Sequence, residues 1–398
     1  MSELRLEPAA RGRVLERMAG RILEQALGTL AHGALEVTLP DATVRRFGHG
    51  APVALRIHDR TFFRRIATRG KLGFGESYTA GEWDADDLPA LFELLLRNAR
   101  DAAARHAGAR RVLDLRPRLR RRNGVRRARR NIAYHYDLGN ELFELMLDET
   151  MTYSCAVFER SDMSLEQAQQ AKYDRICDTL SLAPGDRVLE IGCGWGGFAH
   201  HAAARYGCRV TGLTISREQA HVARGRTAGL PVEIRELDYR DVEGTYDKVV
   251  SIEMLEAIGA DQYGTYFETI DRVLARGGRA VVQTILVPEQ RWERYRSTPD
   301  WIERYVFPGC LIPSLATLAD AAARSSRLGI YGVDEIGSHY AETLRRWREN
   351  VHREIAAVRR LGYDRRFERV WDFYLSFCEA AFRTRWLRDA QLLLARPE

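Results

Sequence analysis

No stretch of 18 consecutive apolar residues occurs in this chain, so no segment is expected to span a bilayer as a helix. Its six cysteines, at 155, 177, 193, 208, 310 and 378, include no CxxC pair, the spacing that zinc ribbons and dithiol redox sites need. No basic stretch followed by a short apolar run opens the sequence, so the thiols are expected to be reduced and the protein cytoplasmic. No internal repeat recurs, which excludes solenoids and propellers. One tract is biased: residues 110–130 hold eleven Arg against one Asp. With a net charge of +6 and a pI near 9.0, that tract alone makes the chain cationic, and the remainder sums to about −4. The tract contains no aromatic residue, which argues against single-stranded nucleic acid, and no nucleic-acid partner is expected. Two readings stay open for it, a solvated linker or a patch attracted to an anionic membrane surface.

The 398 residues, 45% of them hydrophobic, suffice for two domains with cores of their own. Residues 1–105 read as a small α+β domain: an amphipathic helix over 14–27, strands at 34–39, 44–47 and 53–57, a glycine-hinged turn at 72–78, and an apolar helix over 88–96. Residues 106–130 read as the linker. From 131 to 398 strand and helix patterns alternate. Strands are expected at 187–191, 209–215, 232–237, 248–254 and 279–286, and helices at 166–180, 197–205, 217–228 and 262–274. Alternation of this kind predicts a doubly wound, mostly parallel sheet with helices on both faces and a ligand at the carboxyl ends of its strands. Residues 287–335 read as a helical insertion with a connector, and 341–361 and 365–382 as terminal helices.

The most informative stretch is Val188-Leu189-Glu190-Ile191-Gly192-Cys193-Gly194-Trp195-Gly196-Gly197. A buried-strand pattern ends in a glycine turn that opens a helix, which brings backbone close to a flat ligand and turns free N–H groups toward it. Dinucleotide sites share G-x-G but place an acid about 20 residues later to hold the ribose. Here that region reads Thr211-Gly212-Leu213-Thr214-Ile215-Ser216, and the acid lies inside the first strand, at Glu190. The arrangement resembles class I S-adenosylmethionine (SAM) methyltransferases.

Further motifs follow in order: His135-Tyr136-Asp137-Leu138-Gly139-Asn140, Met151-Thr152-Tyr153-Ser154-Cys155-Ala156, Asp238-Tyr239-Arg240-Asp241, Ser251-Ile252-Glu253-Met254, Tyr305-Val306-Phe307-Pro308-Gly309-Cys310 with Pro313-Ser314, and Tyr374-Leu375-Ser376-Phe377-Cys378-Glu379. With Gly73-Phe74-Gly75-Glu76 and Gly81-Glu82-Trp83-Asp84, they make a chain that resembles the cyclopropane-fatty-acyl-phospholipid synthases and mycolic-acid methyltransferases over nearly its whole length. The resemblance implies a class I SAM-methyltransferase α/β domain with helical insertions. It also implies that SAM alkylates the double bond of an unsaturated phospholipid acyl chain, and that the resulting cation loses a proton to close a cyclopropane. Such an enzyme would work peripherally at the inner face of the membrane, and the small N-terminal domain would dock on lipid or pair subunits in a homodimer. The resemblance implies no metal.

Carried over position by position, the resemblance implies that Tyr153 and Ser154 meet the SAM tail and that Gly192 and Gly194 give the close backbone approach. Thr214, Ile215 and Gln219 would meet the ribose and adenine edge, with Tyr239 on the adenine ring beside Arg240; simple packing is the other reading for Tyr239. In the family a bicarbonate acts as base, and its holders match Cys155 (through its backbone), Glu256, Ile285 and Tyr340. Glu256 also reads as a helix cap, and Tyr340 as a hydroxyl satisfied by backbone. The chain departs from the family at Gln283 and Ala257, where many relatives carry His. An amide cannot carry a proton or positive charge, so the expected base is weaker and a methyl-branched or methylene chain becomes the alternative product. His135 reads as part of a lid or as an ordinary core or capping histidine. Cys378 falls on a position sometimes treated as catalytic, but the alkene is the nucleophile and a buried helical thiol is the competing reading.

Overall fold

The computed structural model describes residues 30–105 and 139–397 except Pro299, together with Gly20 and Gly28. The amphipathic stretch at 14–27, the Arg-rich tract and His135 therefore lie outside the described residues, apart from Gly20. Packing divides the chain into two units: Met1–Pro117 with Asp300–Val306 and Tyr363–Thr384, and Arg118–Pro299 with Phe307–Gly362 and Arg385–Glu398. The segment 363–384, read from sequence as part of the large C-terminal block, thus packs with the first unit.

In the first unit, β1 (Ala34–Thr38), β2 (Val44–Gly48), β3 (Pro52–Ile57) and β4 (Trp83–Ala85) form a mixed sheet in the order β2-β1-β3-β4. The stretch at 72–78 is not a turn. It continues the helix Thr61–Thr79, whose only break is a kink at Gly70, φ +54. Its glycines mark close approach instead: a Cβ on Gly73 would lie 2.3 Å from the Arg65 carbonyl, and one on Gly75 would lie 2.5 Å from the Trp301 ring. Phe74 stacks on Trp83 at 4.5 Å, and Phe92 meets Phe373 edge-on at 4.9 Å, which brings the helices Leu88–Arg105 and Arg365–Arg383 into one aromatic core.

The second unit is built on β5 (Arg187–Ile191), β6 (Arg209–Thr214), β7 (Val232–Glu236), β8 (Tyr246–Ile252), β9 (Leu274–Leu286), β10 (Gly329–Glu335) and β11 (Arg388–Ala395). Their order is β10-β11-β9-β8-β5-β6-β7, parallel from β9 through β7, with β11 antiparallel between β9 and β10. This is the doubly wound sheet the alternation predicts, extended by two strands the sequence did not reveal. Val188, Leu189, Val249, Val250, Val281 and Val282 are fully buried, as strands covered on both faces require. The order reverses beside β5, whose neighbours are β6 and β8, and the crevice opens at that switch point.

Candidate active site

The turn after β5 is held open by backbone geometry. Gly192, Gly194 and Gly196 all take positive φ (84°, 50° and 84°), and Gly192 and Cys193 donate their N–H groups to the Leu213 carbonyl at 3.0 and 2.8 Å. A Cβ on Gly194 would meet nothing within 4 Å. On Gly197, the first residue of the next helix, a Cβ would press on the Tyr173 hydroxyl at 2.7 Å and the Thr150 carbonyl at 2.9 Å. The turn thus borders a cleft on one side and packed structure on the other.

That cleft encloses about 1150 Å³ of space, counting its open mouth, and runs along the carboxyl ends of β5, β6, β7 and β8. It brings together all nine positions expected to hold SAM: Tyr153, Ser154, Gly192, Gly194, Thr214, Ile215, Gln219, Tyr239 and Arg240. Glu190 lines it too, buried, with burial raising its carboxyl to about 8. Local bonds set each side chain. The Thr214 hydroxyl donates to Gln219 Oε1 at 2.9 Å, and Ser216 caps the helix that carries Gln219. Asp238 accepts from Arg240 Nε at 2.8 Å and Nη2 at 2.7 Å, so the Arg240 guanidinium is already engaged beside the cleft. Tyr239 packs edge-on against Tyr266 at 5.7 Å, and its buried hydroxyl has no partner among the described residues.

The segment 151–155 crosses the cleft and is pinned by the helix Leu165–Leu180. Gln169 donates to the Ser154 carbonyl at 2.9 Å, and Lys172 donates from Nζ to Ser154 Oγ at 2.7 Å. Lys172 is fully buried, which lowers its ammonium to about 8. A row of rings adjoins this segment: Phe143 lies 5.0 Å from Trp195 and 5.4 Å from Tyr153, and Tyr153 lies 5.0 Å from Trp347. Such π-faces suit a cation on an apolar chain.

The residues expected to bear on proton removal fall into two knots. Glu256, in a short 3₁₀ turn and buried, accepts from the Ile285 N–H at 2.5 Å and the Thr284 hydroxyl at 2.8 Å. Burial, then the neighbouring Glu253, raises its carboxyl to about 8. The second knot is centred on Glu253, which the sequence reading left without a role. Its Oε1 accepts from the Cys155 N–H at 2.8 Å and Gln283 Nε2 at 2.9 Å, and its Oε2 accepts from the Tyr340 hydroxyl at 2.6 Å. Glu253 is half-buried, lines the cleft, and holds φ +48, a sparsely populated backbone region for a residue with a side chain. Behind it lie Asp389, raised far above the carboxylate range by burial and by the charge of Glu253, and Gln391, which donates to Gln283 Oε1 at 3.1 Å. Cys155, Glu256, Gln283, Ile285 and Tyr340 are thus gathered, but each donor assigned to bicarbonate already serves a protein carboxylate, so the set does not fit a free bicarbonate. Cys378 stands apart, on the helix Arg365–Arg383 of the first unit, its thiol pushed up by burial.

The sequence of residues 124–392 matches the family model described as mycolic acid cyclopropane synthetase. Tuberculostearic acid methyltransferase UfaA1 of Mycobacterium tuberculosis is 39% identical over 396 residues, 95% of this chain and 91% of that protein. The cyclopropane-fatty-acyl-phospholipid synthase of Escherichia coli is 38% identical over 348 residues, 87% of this chain and 88% of its own. Among solved structures, the mycolic acid cyclopropane synthase CmaA1 complexed with SAH and CTAB superposes with a TM-score of 0.63 at 30% identity, covering 67% of this chain and 98% of that one. This chain therefore belongs to the mycolic acid cyclopropane synthetase family and is a SAM-dependent methyltransferase.

Proposed function

We propose that the protein alkylates the double bond of an unsaturated acyl chain in membrane phospholipid and forms a cyclopropane fatty acyl chain in place. The observation that carries this reading is the junction in one cleft of a glycine turn suited to a nucleoside donor, the rings of Tyr153 and Trp195, and the Glu253 carboxylate. SAM supplies an electrophilic methyl group. Gly192 and Gly194 let the backbone approach it, Glu190 offers a carboxyl for its cationic part, and Tyr239 offers a face for its purine. Transfer from a sulfonium needs alignment and exclusion of water more than acid–base help, and the apolar lining supplied by Ile191, Leu213, Ile252 and Ile258 serves both.

A second product class is favoured by Gln283, which stands where a histidine is common in relatives and cannot itself accept a proton. If proton loss is slow, a hydride shift precedes it: loss of a proton from the added methyl then leaves an exocyclic methylene, and loss from a neighbouring chain carbon leaves a methyl-branched alkene. The relative named for tuberculostearic acid fits that alternative. The test is incubation with SAM and vesicles of monounsaturated phospholipid, followed by saponification of the lipid and mass spectrometry and proton NMR of its acyl chains. A product one CH2 heavier with ring protons is expected. A branched methyl or exocyclic methylene signal would select the second class, and unmodified lipid under saturating SAM would overturn both.

A further inference from the structure

We infer that Glu253 is the base of this enzyme, a carboxylate supplied by the chain itself in place of a dissolved anion. The inference rests on the proposed reaction and names the group that completes it.

Three donors from three separate parts of the unit converge on the two oxygens of Glu253: the Cys155 backbone, the Gln283 amide and the Tyr340 hydroxyl. Such convergence stabilises and orients an anion. The carboxylate is also open to the cleft, whereas Glu256 and Asp389 are buried and do not line it. Glu190 lines the cleft as well, but it lies on β5 ahead of the glycine turn, where it is suited to holding the donor. The left-handed backbone of Glu253 shows that the surrounding structure holds this residue in place against a local cost. A bicarbonate bound here would face the Glu253 carboxylate, with its assigned donors already committed.

The step balances as follows. The alkene π pair forms a C–C bond to the methyl carbon as the C–S bond breaks, its electron pair returning to sulfur. A carbocation is left on the acyl chain. A Glu253 oxygen takes a proton from the added methyl, and the C–H pair closes the ring. After a hydride shift, the same proton removal forms an exocyclic double bond instead. The proton passes to water once the product has left.

The test uses the full chain in CO2-stripped buffer, with and without added bicarbonate, as wild type, Glu253→Gln and Glu253→Gly. Wild-type turnover should change by less than about twofold with bicarbonate. Glu253→Gln should lose about 100-fold or more in product formation, the range of one general base, while binding S-adenosylhomocysteine within about threefold of wild type. Glu253→Gly, which empties the space, should regain activity with bicarbonate. In parallel, 13C NMR of labelled bicarbonate should show binding to Glu253→Gly and none to wild type. A wild-type rate that climbs about tenfold with bicarbonate, wild-type bicarbonate binding, or a Glu253→Gln variant within about threefold of wild type would overturn the inference. If wild type makes no lipid product, the proposed function fails alone, and the binding comparison still decides whether Glu253 fills the anion site.

Discussion

At the level of single residues, the site concentrates ionisable groups where water is scarce, and that has a measurable price in stability. Glu256 is fully buried with a carboxyl raised to about 8 from an ordinary 4.5. Between those values the folded protein binds a proton that the unfolded chain does not. Its contribution to stability is therefore complete below pH 4.5 and lost as pH rises through about 8. Glu256→Gln keeps an oxygen for the Ile285 and Thr284 donors and removes the titration. Denaturant unfolding should find the variant more stable than wild type by about 2 kcal/mol at pH 9, with the gap closing toward pH 5. A gap that does not vary with pH would show that the burial argument is wrong. The cleft residues on strand ends, Gly192, Thr214 and Tyr239 among them, were legible because a strand pattern followed by a turn announces its own end. Glu253 was not, because Ser251-Ile252-Glu253-Met254 reads as an ordinary alternating strand, and only the folded backbone turns it left-handed at the cleft. Lys172 falls in step with Leu165, Ala168 and Ile176 on the buried face of its helix, but its residue type reads as a solvated charge and does not reveal that Ser154 meets it there.

At the level of elements, the strand-turn-helix over Arg187–Tyr206 separates packing from ligand approach. Two substitutions in the same turn should divide accordingly. Gly194→Ala meets open space at φ +50, so it should cost about 1 kcal/mol of stability yet weaken S-adenosylhomocysteine by about tenfold or more, because the methyl projects toward the cleft. Gly197→Val would press on Tyr173 and Thr150, and should cost about 2–3 kcal/mol in thermal or denaturant unfolding. Equal stability losses would mean that the cleft side of the turn is not open. Five parallel strands were readable because buried β-branched runs alternate with helices. β10 and β11 were not. Gly329-Ile330-Tyr331-Gly332-Val333 exposes Tyr331 and Val333, and Gln391-Leu392-Leu393-Leu394-Ala395 is composed of good helix formers that pairing with β9 overrides. The stretch 72–78 failed in the opposite direction, its glycines belonging to close helix packing against Arg65 and Trp301.

At the level of the whole molecule, no helix among the described residues is long and apolar enough to cross a bilayer, so the proposed phospholipid substrate would have to be met at the membrane surface. On that proposal the eleven arginines of residues 110–130 would supply an attraction worth about 1 kcal/mol for each basic residue near an anionic surface. Co-sedimentation should show binding to anionic vesicles that falls steeply with added salt and weakens when Arg120, Arg121, Arg122, Arg126 and Arg127 become Gln. Equal binding to neutral vesicles at every salt concentration would remove the electrostatic role. The order of the large sheet also bears on how the protein is made. β10 pairs with β11, and β11 carries Asp389 and Gln391 to the Glu253 knot. Until residues 388–395 have emerged from the ribosome, β9 presents an unpaired rim and the nascent enzyme lacks the backing of its base. Synthesis thus passes through an interval in which the chain is inert and prone to stick to its neighbours, and insertion of that strand ends both conditions at once.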